Sequence, residues 1–186
     1  MRNLINMAQR YATGKVVASL FAMTMLVYIT MLSYSIPLVS AFAPGLPLFD
    51  LSPAGYSFSY ANELLAALGA EGRDTYLNTQ LPLDFIYPGL FSIAYSLMLI
   101  WLLGKLTNAS SKFHYLAVFP FLAGLFDYAE NILIIKMINS FPEVQASIVE
   151  LASIFTLLKS TFTMVFFIVL TVGFLVLLKQ KLFKNS

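Results

Sequence analysis

Residues 16–39 read VVASLFAMTMLVYITMLSYSIPLV, a run without one charged side chain. The hydrocarbon core of a bilayer is about 30 Å thick and a helix rises about 1.5 Å per residue, so about 20 apolar residues cross it. A helix in a soluble bundle would carry a charged outer face beside its apolar stripe. This run has no such face and reads as a transmembrane helix. Arg2, Arg10 and Lys15, then the apolar run, then Ala41-Phe42-Ala43 also have the outline of a secretory signal. A signal's apolar region is only about 7 to 15 residues long, so the run is expected to remain as an uncleaved first span.

Three more stretches have the same character: Phe85 to Leu103, Tyr115 to Met137 and Ile148 to Leu178. The last is overlong and is expected to tilt or project beyond the bilayer. Composition agrees, because the 186 residues are 59% hydrophobic and 11% charged, against about 45–50% and about 25% in soluble domains. Mean hydropathy is +0.81. Disorder requires the opposite balance. The absence of cysteine removes disulfides, thiol nucleophiles and thiolate metal sites, and one histidine, His114, cannot build a multi-histidine centre. Phosphate-binding glycine loops, Ser-His-Asp sets and zinc spacings are missing too, so neither a metal nor a cofactor is expected. The fold class is an all-α membrane protein, a single domain of four transmembrane helices with a cap at residues 40–84.

Orientation follows from the basic residues, which cytoplasmic flanks retain. Arg2, Arg10 and Lys15 precede the first span, Lys105 and Lys112 separate the second from the third, and Lys179, Lys181 and Lys184 follow the fourth. The alternate loops are acidic: Asp50, Glu63, Glu71, Asp74 and Asp84 face only Arg73 in the first, and Glu143 lies in the last. Both termini are expected in the cytoplasm of a bacterial cell, with the chain in the plasma (inner) membrane. The net charge of +2 is then a topology signal and suggests no nucleic-acid partner.

The long outer loop opens with Pro44-Gly45, Pro47, Pro53 and Gly55, which are turn residues. Ser59 is a candidate N-cap for a short helix with Leu64, Leu65 and Leu68 on one face and Gly69 just beyond its end. A second short helix is expected from about Glu71 to Gln80, ending at Pro82. The segment Glu63-Leu64-Leu65-Ala66-Ala67-Leu68-Gly69-Ala70-Glu71-Gly72-Arg73-Asp74-Thr75-Tyr76, followed by Asp84-Phe85-Ile86-Tyr87-Pro88, resembles small four-span bacterial membrane proteins, a resemblance that implies no activity. The layout of four spans and a long first outer loop is similar to that of claudins, whose Trp-Gly-Leu-Trp motif and paired cysteines this chain lacks.

Ionisable groups inside a span are costly and mark functional sites by default. In the third span Asp127, Glu130 and Asn131 follow i, i+3, i+4 spacing and share one helix face. The fourth carries Ser153, Thr156, Lys159, Ser160 and Thr163; the second opens with Asp84 and Tyr87. Counted from the cytoplasmic ends at helical rise, the charged groups lie about 18 to 29 Å up, in the outer half. There they are expected to form a polar chamber beneath the cap. Three carboxylates compete for Lys159, so at least one must be protonated, hydrated or bound to something else. His114, at the cytoplasmic start of the third span, is expected to touch headgroups.

The expected function is binding of a lipid or other apolar small molecule that arrives laterally from the membrane. Asp84, Tyr87, Asn131, Thr156, Lys159, Ser160 and Thr163 would line the site. Asp127 and Glu130 are the candidate general acid and base, should the occupant be a substrate. The alternative is a structural or assembly protein whose outer loop binds partner membrane proteins or a second copy, with the intramembrane charges as braces between helices. Proton or cation passage ranks last, because the cytoplasmic half holds no comparable acid.

Overall fold

The computed structural model describes residues 2–108 and 111–184, and these contain helices and connections with no strand. The helices are α1 (Arg2–Tyr11), α2 (Gly14–Ser40), α3 (Phe58–Thr75), α4 (Leu81–Leu106), α5 (Val118–Ser140) and α6 (Ala146–Lys184). Four helical stretches are long and apolar enough to cross a membrane: α2, the continuous run of α3 into α4, α5 with the 3₁₀ turn Lys112–Ala117 before it, and α6. The short basic helix α1 was not expected. It packs on α4, and Thr13 then caps α2 by accepting from the Val16 N–H.

Two π-helical turns interrupt the helices, Met31–Ser35 within α2 and Tyr76–Gln80 between α3 and α4. Each closes with an i→i−5 bond, Ile36 N–H to Met31 C=O and Leu81 N–H to Tyr76 C=O. In each case a proline stands two residues beyond the turn, Pro37 after Ile36 and Pro82 after Leu81. A proline has no N–H and its ring crowds the preceding turn, so the i→i−4 ladder must adjust there. The two turns pack against each other, and the Ser35 hydroxyl donates to Gln80 Oε1 at 2.5 Å in a fully buried contact.

Pro82 therefore does not end a helix, contrary to expectation. It follows the π turn within a continuous helical run, where the widened turn accommodates its missing N–H, and α4 begins at Leu81 rather than Phe85. The cap of α3 is also displaced: Ser57, not Ser59, accepts from the Tyr60 N–H at 3.1 Å. Gly69 breaks the helix with φ 62°, and the chain resumes turning directly after it. Beside the break the Leu65 carbonyl receives Arg73 Nη1 at 2.7 Å, while the guanidinium lies 4.5 Å over the Phe141 ring.

The apolar core has two parts. One joins the cap to the helices, with Leu48, Phe49, Leu64, Tyr76, Ile134 and Val149 all fully buried. The other lies farther along the bundle, where the rings of Phe91, Tyr95 and Phe166 meet in tilted and edge-on contacts with centroids 4.7 to 5.8 Å apart. Helices α4 and α5 form the centre, α2 packs on α4 and α6 packs on α5. Among the described residues α2 and α6 have no extended contact, so a gap between them is floored by α4. Gly124 sets the α4–α5 spacing, since a Cβ there would collide with Ser92 Oγ and lie 2.7 Å from the Pro88 carbonyl oxygen. His114 is fully buried with Nδ1 3.1 Å from the Ser111 carbonyl oxygen, so the expected headgroup contact does not form.

Candidate functional site

The site begins with a defect in α4. Pro88 lacks the N–H that would bond the Asp84 carbonyl four residues earlier. Asn131 of α5 supplies the missing donor: its Nδ2 donates to Asp84 C=O at 2.8 Å, both residues being buried. Asn131 thus ties the two central helices at the level of the acids rather than facing open space.

Lys159 of α6 reaches across to α5, with Nζ 2.6 Å from Glu130 Oε2 and 3.1 Å from Asp127 Oδ1. Glu130 is fully enclosed, and its other oxygen accepts from the Thr156 hydroxyl at 2.6 Å. Both acids nominated by the sequence for acid–base work are therefore held by one ammonium. Tyr56, in the loop before α3, lies beside this group, and its backbone N–H donates to Ser153 Oγ at 2.9 Å. Burial, and then the Glu130 charge, push the Tyr56 phenol above its ordinary range, and its hydroxyl is buried without a hydrogen-bond partner.

A fourth acid joins the three expected ones. Asp50, in the 3₁₀ turn Phe49–Leu51, points inward and accepts from the Tyr76 hydroxyl at 2.8 Å. It neighbours Asp84, and both line a cleft of about 230 Å³. Asp50 Oδ1 and Asp84 Oδ2 are buried and have no hydrogen-bond partner. Two facing carboxyls cannot satisfy each other without a proton or a donor between them. The signal for Asp50 was an acid inside Leu48-Phe49-Asp50-Leu51, an otherwise apolar run in a turn-rich segment.

Asp127, Lys159, Ser160, Thr163 and Tyr87 line the same cleft; Glu130, Asn131 and Thr156 stand behind its wall. The Tyr87 ring stacks on Tyr28 of α2 at 5.6 Å, a contact the sequence did not foreshadow. The floor is buried, with Asp84 4% and Asp127 7% exposed, whereas rim residues Tyr28, Leu32 and Leu51 are 39 to 44% exposed. A second, mainly apolar cavity of about 650 Å³ shares Tyr28, Tyr87, Phe91 and Thr163 with the first and continues between α2 and α6 toward Phe174. Among the described residues no group of three His, Asp or Glu side chains is placed to hold a metal ion. Comparisons of the chain with protein families, curated proteins and solved structures find no match, and no family is assigned.

Proposed function

We propose that this chain is an integral protein of the bacterial plasma membrane, with both termini cytoplasmic and its cap extracytoplasmic, that binds a lipid or other apolar small molecule in the cleft beneath the cap. One observation carries the reading: a floor of buried carboxyls opens, through a rim of exposed apolar residues, into the gap between α2 and α6. Ligand sites are typically concave, mostly apolar and furnished with a few converging polar groups. The gap faces the side of the bundle, so an occupant dissolved in the membrane has a direct path in.

Lys159 serves this site as a brace. It pairs with both α5 acids, its single charge balancing one of them, and leaves Asp50 and Asp84 as the cleft-lining carboxyls with an unpartnered buried oxygen. An acid–base reaction on an occupant would draw on that pair and on Asp127, which also lines the cleft. The test is extraction in a mild neutral detergent followed by mass spectrometry of co-purifying small molecules. A defined amphiphile retained by the native chain and lost on Thr163→Trp, which fills the junction of the two cavities, supports the reading; identical profiles overturn it.

The brace itself favours a second reading, an assembly protein whose cap binds partner membrane proteins or another copy. That reading expects crosslinks from exposed cap positions such as Glu63 to a stoichiometric partner, and no effect of Thr163→Trp on assembly.

A further inference from the structure

We propose that the occupant is a single-chain amphiphile with a protonated amine head, seated with its ammonium between Asp50 and Asp84 and its tail in the groove between α2 and α6. The inference rests on the binding reading above and names the ligand class.

It starts from a tally of donors. Around the cleft, Lys159 is engaged by Asp127 and Glu130, the Tyr76 hydroxyl by Asp50 Oδ2 and Asn131 Nδ2 by the Asp84 carbonyl. Tyr56 Oη, Gln80 Nε2 and Asn131 Oδ1 are also buried without a partner, but on residues outside the lining; on the lining itself two such acceptors remain, Asp50 Oδ1 and Asp84 Oδ2, and Asp84 is only 4% exposed. A head that fits must bring donors, and a positive charge makes each such bond about twice as strong as a neutral one. An ammonium carries three donors and no acceptor. A phosphate or sulfate head would meet three carboxyl groups of the lining, with the one ammonium already shared between two acids. At the mouth, the stacked Tyr28 and Tyr87 rings offer π-faces, which attract cations.

Shape supplies the tail. The head cleft is small, about 230 Å³. The larger cavity is walled by Phe21, Met25, Met98, Phe167 and Leu170. From Lys159 to Phe174 along α6 the groove spans about 22 Å at helical rise, which suits one long chain laid along the helices.

The test uses the full chain in neutral maltoside detergent at pH 7, with tritiated dodecylamine as the probe and unlabelled dodecylamine, dodecanol and dodecyl phosphate as competitors. The expected result is saturable amine binding about tenfold or more tighter than the alcohol's, no displacement by the phosphate, and a loss of about tenfold or more in Asp84→Asn and in Asp50→Asn. Asp50 lies on the connecting segment, so its variant keeps the test valid if Asp84→Asn fails to fold, as judged by gel filtration. Equal competition by alcohol or phosphate, or undiminished amine binding by both variants, overturns the amine. If the alcohol still binds saturably and Thr163→Trp abolishes it, the site stands and only the head assignment falls. If none of the three probes binds saturably, the site reading falls with it.

Discussion

Two side-chain contacts hold the site together. The first is Lys159 with its two acids. Removing one partner of a buried ion pair leaves an uncompensated charge, so Lys159→Met is expected to lower unfolding stability in detergent by about 3 kcal/mol or more. Because the ammonium serves both Asp127 and Glu130, adding Glu130→Gln should restore only part of the loss, and adding Asp127→Asn as well should restore most of it. A Lys159→Met protein as stable as the native one would contradict the brace. The second contact is Asn131 with the Asp84 carbonyl. Asn131→Leu leaves a buried carbonyl without a donor and should cost about 1–3 kcal/mol. The Pro88→Ala background returns a backbone N–H to that carbonyl, so the same substitution should cost clearly less there; equal costs in both backgrounds would refute the substitution of one donor for another. These contacts also show where reading residues from sequence stops. Helical spacing places Asp127, Glu130 and Asn131 on one face, but which neighbour each meets depends on the rotation of α5. That rotation is set by tertiary contacts such as Gly124 against Pro88.

Among the elements, α4 and α5 are the pair whose distance decides whether the cleft has a floor. The Gly124 contact leaves no space for a methyl group: its Cβ would lie 2.7 Å from the Pro88 carbonyl oxygen. Gly124→Ala should therefore destabilise by about 1–3 kcal/mol. Gly104, on the same α4 but with nothing within 4 Å of its ideal Cβ, serves as the control and should accept alanine without loss in thermal unfolding. If both changes behave alike, close approach at Gly124 is not what spaces the helices. The apolar runs of all four long helices were plain in the sequence, since desolvation in a bilayer demands them. The course of the chain through Pro82 was not. A proline preceded by a π turn and a proline that ends a helix share the same local residues, and the choice was made by packing, with Ser35 and Gln80 locking one π turn to the other.

For the molecule as a whole, four crossings would put both termini on one side of the membrane, and the proposed topology takes that side as the cytoplasm from the basic flanks. The chain has no cysteine, so single replacements report cleanly. Glu63→Cys in the cap and Lys181→Cys in the last turns of α6, both exposed positions, should react with a membrane-impermeant maleimide in whole cells at the first site only. Reaction at the second site alone would invert the topology. The inward placement of Asp50 also belongs to this scale, because only the complete folding of the cap over α4 and α6 turns a loop acid toward the bundle. A last consequence concerns rates. Helix α2 leans on α4 and, among the described residues, makes no extended contact with α6, so a tilt of its part beside the groove leaves the ion pair, the carbonyl bond and the α4–α5 contact in place. On the proposed binding reading, exchange of the occupant is expected to follow the swing of α2. Tethering Met25→Cys to Leu170→Cys with a short bifunctional thiol reagent should lengthen residence time while leaving the equilibrium preference among heads unchanged.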